Sequence, residues 1–151
     1  MSNPYQIYLI SDSTGETLDR IFLALKAQFK NFSYKTNHFS FTRTENQVLK
    51  ILETLNNKDK TIILYTIVDN NLSKFLSNEA KKKNIPCFGV LGDLIISFSK
   101  LLNQEASFKP SGQHALTDEY YKRIEAIQFT MNHDDGNLSN DLDKSDIILL
   151  G

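Results

Sequence analysis

Apolar and polar positions along this chain switch between two periods, and the switch repeats from one end to the other. Ile7-Tyr8-Leu9-Ile10 is a short apolar run and predicts a buried strand. Behind it Leu18, Ile21, Phe22, Leu25 and Phe29 recur at helical spacing, which predicts a helix with one apolar face. Tyr34 to Phe41 follows as a second strand, with Phe39 and Phe41 on one face by the two-residue period. Val48, Leu49, Leu52 and Leu55 mark a second helix, with Thr44 as N-cap and Gln47 at the capping-box position. Thr61 to Val68 is nearly continuously apolar, the signature of a strand covered on both faces. A helix over 71–83 closes in Lys81-Lys82-Lys83, whose charges suit the negative end of a helix dipole better than an anion site. Cys87 to Leu91 then reads as a strand, Leu94 to Leu102 as a short helix and 103–117 as a polar loop. A helix over 118–131 places Tyr120, Ile124, Ile127 and Met131 on one face, and Asp146 to Leu150 reads as a last buried strand.

Strands separated by helices imply right-handed crossovers. The expected fold is an open α/β domain over 1–151, its sheet mostly parallel with helices on both faces. No repeat, low-complexity tract or linker divides the 151 residues, a length that buries about two-thirds of the unfolded surface in one core. Seventeen basic residues against 18 acidic ones leave no electrostatic footprint for nucleic acid or an anionic membrane. Met1 to Gln6 lacks the features of a secretory signal, and no apolar run has the length of a membrane span, so a cytoplasmic location is expected. The lone Cys87 excludes an internal disulfide and reads as a small core residue.

Open α/β folds gather ligands beyond the carboxyl ends of their strands. That edge would collect the Ser11–Thr17 loop, Asp69-Asn70 and Gly92-Asp93. Ser11, Ser13, Thr14 and Thr17 offer hydroxyl donors, and Gly15 lets backbone N–H groups at a helix start approach an anion. An ordinary cap needs one such residue, so four hydroxyls and a glycine within seven positions favour a phosphate ligand. Arg43 ends the second strand, either as a fixed cation for that phosphate or as a surface partner of Glu45 or Glu16. His133-Asp134-Asp135 could supply a general base or hold a divalent metal, but standing alone it reads as a helix-ending turn. No residue is assigned as a metal ligand. His38 lies in a strand as a structural residue, and His114 is accessible but has no identifiable partner. The final strand arrives at Gly151, and a strand followed by glycine is how a phosphate-binding loop begins.

Two families share features with these residues. Asp12-Ser13-Thr14-Gly15-Glu16-Thr17 is similar to the flavin mononucleotide phosphate loop of flavodoxins, with an acid at Asp12 where that loop has a hydroxyl. The flavin-stacking aromatics expected after the third and fourth strands are absent from Val68-Asp69-Asn70 and Gly92-Asp93. A broader resemblance rests on seven blocks in order. They are Ile7 to Thr17, Phe41-Thr-Arg-Thr44, Tyr65 to Asp69, Ser111-Gly-Gln-His114, Tyr121 to Phe129, His133-Asp-Asp-Gly136 and Ser145 to Gly151. Together they resemble the N-terminal half of the pyruvate, phosphate dikinase / phosphoenolpyruvate synthase regulatory protein family.

That resemblance implies a bifunctional regulator of the dikinase or the synthase. Such a protein uses ADP, with Mg2+ as a candidate companion and no tightly bound cofactor, to phosphorylate a threonine of its target. It reverses the modification by transferring the phosphoryl group to inorganic phosphate. Ser11, Ser13, Thr14, Gly15 and Thr17 would then hold inorganic phosphate or the target's phosphothreonine with help from Arg43. His133, Asp134 or Asp135 would help activate the hydroxyl, and Gly151 would be the first residue of the nucleotide loop. A chain ending there is expected to lack kinase activity by itself, or to act as a docking module for the dikinase. Self-association is left open.

Overall fold

Tyr5–Ser11 forms β1, at the centre of a sheet whose every neighbour runs parallel to it. The computed structural model describes residues 3–55, 58–110 and 118–133. Two units make up the chain, Met1–Gly112 and Gln113–Gly151. In the first, β1 is followed by α1 (Glu16–Lys26), β2 (Tyr34–Phe39), α2 (Glu45–Glu53), β3 (Thr61–Thr66), α3 (Asn70–Lys82), β4 (Cys87–Gly89) and α4 (Gly92–Leu102). The strand order is β2-β1-β3-β4. This is the doubly wound α/β arrangement, in which the chain leaves β1 towards one edge and then returns to build the other. In the second unit α5 (Asp118–His133) is described, with Ile124 and Ile127 exposed.

The expected parallel sheet with helices on both faces is what forms. Alternation along β1 divides its side chains between two cores. Tyr8 and Ile10 join Ile63, Tyr65 and Ile67 under Val48, Ile51 and Leu52 of α2 and Leu72, Leu76 and Ala80 of α3. Ile7, Leu9 and Leu64 face the other way, onto Leu18 and Phe22 of α1. Each large aliphatic side chain or phenylalanine among them contributes about 1.5–3 kcal/mol by leaving water. The long apolar run of β3 follows from this: Thr61 and the stretch from Ile63 to Ile67 are buried between helices on both sides.

Side-chain caps set the starts of α2 and α3. Thr44 and Gln47 close a reciprocal capping box at α2, and Asp69 accepts the Leu72 N–H at 2.8 Å to cap α3. A cap of this kind is worth about 1 kcal/mol. Helix ends turn on Asn84 (φ 56°) and Asn103 (φ 49°), left-handed positions where asparagine is tolerated. His38 Nε2 lies 3.0 Å from Asp19 Oδ1 and ties β2 to α1. Cys87 packs against the larger core, and burial pushes its thiol up to about 12, so it stays protonated at neutral pH.

Several expectations need correction. α1 stops at Lys26, so Phe29 is not on its apolar face; it is exposed and tilts onto Phe32. Ile51 rather than Leu49 enters the core from α2. β2 ends at Phe39, and Phe41 leaves the strand with φ 54°. α4 buries no residue among those described, and Leu94, Phe98, Leu101 and Leu102 are all exposed. The proposed strand over 146–150 and the 111–114 block lie outside the described residues. No helix among the described residues is long and apolar enough to cross a membrane.

β4 comes as close to β3 as it does because residue 89 has no side chain. A Cβ at Gly89 would lie 2.7 Å from the ring of Tyr65, which is buried and hydrogen-bonded to Ser73. Gly89→Ala should therefore destabilise the fold by roughly 1–3 kcal/mol, the usual cost of overpacking. Urea denaturation checks this, and an unchanged midpoint would mean that the Tyr65 ring yields freely.

Candidate functional site

The carboxyl edge of the sheet is built where β1 runs out into Ser11-Asp12-Ser13-Thr14. Four successive carbonyl groups at the end of a buried strand need donors, and the turn after β2 supplies one to each. Thr42 N–H donates to the Ser11 carbonyl at 2.9 Å and Phe41 N–H to that of Ser13 at 2.9 Å. Arg43 Nε donates to the Asp12 carbonyl at 2.9 Å, and the Ser40 hydroxyl to that of Thr14 at 2.8 Å. On the other side, Asp12 N–H donates to the Thr66 carbonyl and Val68 N–H to Asp12 Oδ2, which ties the loop to the end of β3.

The amides of Asp12, Ser13 and Glu16 are also engaged, donating to the Thr66 carbonyl, Ser11 Oγ and Thr14 Oγ1. Gly15 takes φ 88°, a left-handed conformation that glycine adopts without a steric cost, and begins α1 with no side-chain cap. The N–H groups of a first helical turn carry partial positive charge and suit an anion. The hydroxyls expected to cooperate there divide into two pairs. Ser11 and Ser13 are buried, and Ser11 Oγ accepts the Ser13 N–H at 3.0 Å. Thr14 and Thr17 are exposed at the helix start, with Thr14 Oγ1 3.5 Å from the Glu16 N–H.

Arg43 reaches this loop rather than Glu16 or Glu45. Its Nε is bound to the Asp12 carbonyl, and its guanidinium carbon lies 5.6 Å from the Phe41 ring centroid. Glu16 instead lies 3.7 Å from Arg20. Phe41 is itself unusual: a left-handed backbone costs a bulky residue about 1–2 kcal/mol, yet its ring is 53% exposed. An open groove of about 280 Å³ between β2 and α2 is lined by Phe39, Gln47, Lys50, Ile51 and Thr54, and Phe41 is not among its lining residues.

The electrostatics are mixed. Burial pushes the Asp12 carboxyl above its ordinary 3.8, against the pull of the Val68 N–H, its own N–H and the Arg43 charge, while Asp69 adds to the rise. A single guanidinium therefore faces two carboxylates at this edge. Asp69 is occupied in capping α3. His133 closes α5 in the second unit, while Asp134, Asp135 and Gly151 lie outside the described residues.

Sequence reasoning overlooked three residues. Asp12 matters as the clamp on Val68, and Ser40 and Phe41 as the donors to Thr14 and Ser13. Only the unmatched acid in a hydroxyl-rich loop pointed to the first. Nothing in a strand-like pattern pointed to the other two.

A parallel sheet in this strand order, with helices on both faces, makes this a protein of the doubly wound α/β class. The Kinase/pyrophosphorylase family matches residues 7–151, and the chain belongs to that family. It is 70% identical over its full length to a protein of Pelagibacter ubique strain HTCC1062, named as a candidate pyruvate, phosphate dikinase regulatory protein. Proteins given the same name in Chelativorans sp. strain BNC1 and Geotalea uraniireducens strain Rf4 are 37% and 38% identical, each over 97% of this chain. The chain spans about half the length of these curated relatives, 54–55%.

The Asp12 clamp has a pH signature. A carboxyl whose folded pKa is raised holds its proton more tightly folded than unfolded, so its ionisation costs stability as pH rises above 3.8. Asp12→Asn keeps a carbonyl oxygen for the Val68 N–H and should be more stable than wild type near neutral pH. That advantage should shrink as pH falls through the folded pKa towards 3.8. Denaturation across a pH series checks the sign; a variant less stable at neutral pH would make the ionised carboxylate a net stabiliser.

Proposed function

We propose that this chain carries the phosphoryl-handling half of a bifunctional kinase and phosphorylase that regulates pyruvate, phosphate dikinase. In this reading ADP donates a phosphoryl group to a threonine of the dikinase, and inorganic phosphate removes it with release of pyrophosphate. The observation that carries the reading is the stitched loop: the 11–14 carbonyls are engaged by 40–43, while the uncapped start of α1 and the Arg43 guanidinium lie together at the sheet's ligand edge. Membership of the Kinase/pyrophosphorylase family supports this reading.

The reading assigns this loop a single phosphoryl group. Asp12 and Asp69 stand beside the one guanidinium of Arg43, so local charge disfavours a polyanion and binding would rest on backbone and hydroxyl donors. Within the cradle, backbone amides of the first turn of α1 and the exposed Thr14 and Thr17 hydroxyls would orient the phosphoryl oxygens, and Arg43 would balance their charge. Phosphoryl transfer depends on such positioning and charge neutralisation. His133, Asp134 and Asp135 are retained as candidate groups for activating the threonine hydroxyl.

Inorganic phosphate titrated into the chain should move the backbone amide resonances of Thr14, Gly15 and Thr17 before any others. Arg43→Ala should weaken that binding by about 10-fold or more, the usual weight of a charge-assisted hydrogen bond. Shifts confined to other regions, or none at millimolar phosphate, would overturn the cradle.

A further inference from the structure

Phe29 lies just beyond α1 with its ring 59% exposed, and it belongs to a connected set of rings. It tilts onto Phe32 at 6.1 Å, and Phe32 meets Tyr5 at 5.9 Å and Tyr34 at 5.2 Å. Tyr34 in turn meets the buried Phe22 edge-on at 5.2 Å. The set runs from the core under α1 out to the amino edge of the sheet, at the opposite end of β1 from the candidate phosphate loop. β1 and β2 begin there side by side, with Tyr5 opposite Tyr34 and the Tyr5 N–H donating to the Ser33 carbonyl. Two lysines close on the rings. Lys26 Nζ lies 5.2 Å from the Tyr34 centroid and donates to its hydroxyl at 2.6 Å. Lys60 Nζ lies 5.7 Å from the Tyr5 centroid and donates to the Asn3 carbonyl at 2.8 Å.

Positive charge gathers at the same edge. Residues 3–5, 26–35 and 58–61 carry five lysines against the single acid Asp59, in a chain whose net charge is −1. The negative end of a helix dipole accounts for Lys26. Lys35 instead lies near the start of a strand, and Lys58 and Lys60 flank a short turn before β3, where no long helix ends. Glu53 and Glu79 belong to α2 and α3, which cover the other face of the sheet. Among the described residues no carboxylate is paired with any of the five lysines.

We propose that this aromatic and basic amino edge is a docking surface for a protein partner, taking an acidic segment whose carboxylates meet the lysines and whose apolar side chain packs on Phe29 and Tyr5. The proposal takes from the proposed function only that the partner is a protein, and it is independent of the phosphate cradle. Charge complementarity selects an acidic occupant, and each ammonium keeps donors beyond the bond it already makes. Rings held by one another, with Phe29 and Tyr5 (40% exposed) outermost, lose little freedom on binding. Nucleic acid is disfavoured on two counts. The rings tilt at 60° and 49° across one another, so they cover faces on which bases would stack. The cations at this edge are all lysines, without the arginine fork that suits phosphates.

The test uses this chain with two synthetic glutamate-rich peptides, one with a central phenylalanine and one with serine in its place. Wild type should bind the phenylalanine peptide about tenfold more tightly, the scale of one apolar side chain leaving water. Raised salt should weaken both peptides and keep their ratio. Phe29→Ser should bind both alike, at the affinity wild type shows for the serine peptide, with an unchanged urea midpoint because the ring is exposed. Phe29→Tyr should restore the preference. Lys30→Glu combined with Lys58→Glu should weaken both peptides about tenfold. Equal binding of the two peptides by wild type overturns the surface. So does a Phe29→Ser chain that still prefers the phenylalanine peptide, or a double lysine variant that binds as wild type does. A polyuridine RNA or a phosphatidylserine vesicle that binds more tightly than either peptide, and loses that affinity in Phe29→Ser, overturns it too. The cradle is judged separately: phosphate shifts at 14–17 without a peptide preference remove the docking surface alone, and a peptide preference without phosphate shifts removes the cradle alone.

Discussion

The candidate site depends on the donors that satisfy the carbonyls where β1 leaves the sheet. A central strand flanked by β2 and β3 ends with its polar backbone still in a low-dielectric setting, and an unsatisfied carbonyl there costs about 1–3 kcal/mol. Residues 40–43 satisfy four of them by different means: two backbone amides, one hydroxyl and one guanidinium nitrogen. Once these bonds form, the loop from Ser11 to Gly15 has little freedom. The start of α1, the buried pair Ser11 and Ser13, and the Asp12 contact with Val68 all take their places from it. Arg43 joins the site as a structural donor first, and its charge is delivered to the ligand edge as a result.

Sheet topology explains why these loops meet at all. β1 and β2 are adjacent and parallel, so the loops that follow them leave at the same edge; β3 lies on the other side of β1, and its end supplies Thr66 and Val68. The order β2-β1-β3-β4 places the change of winding direction at β1, the position where doubly wound folds hold their ligands. The cores on either side, one under α2 and α3 and one under α1, hold the strands rigidly enough for an edge built from short loops to keep its shape. The same topology serves flavodoxins, so the fold alone does not choose between a flavin and a phosphoryl substrate. The family match over 7–151 is to the Kinase/pyrophosphorylase family, and the loop carries an acid at Asp12.

Asp12 also gives this edge its character. A carboxylate under a phosphate cradle weakens the attraction for polyanions, and burial makes its charge costly. The Val68 N–H and Arg43 offset part of that cost and fix the carboxylate in one orientation.

Much of the fold was legible because its causes are local. Period, capping and apolar runs marked β1, β3, α2 and α3, and Thr44 and Gln47 formed the box their spacing implied. The loop from Ser11 to Thr17 and Arg43 were also legible as chemistry, since residue types at a strand end suffice to suggest a phosphate. What the sequence could not show was which of those groups would be consumed internally. Ser11 turned to Ser13, Arg43 to the Asp12 carbonyl and Phe41 out of its expected strand face, because carbonyls brought together by strands distant in sequence needed donors. Periodicity records which side of an element meets the core. Only the pairing of β2 with β1 decides whose hydrogen bonds end the strands, and so which side chains remain for a ligand.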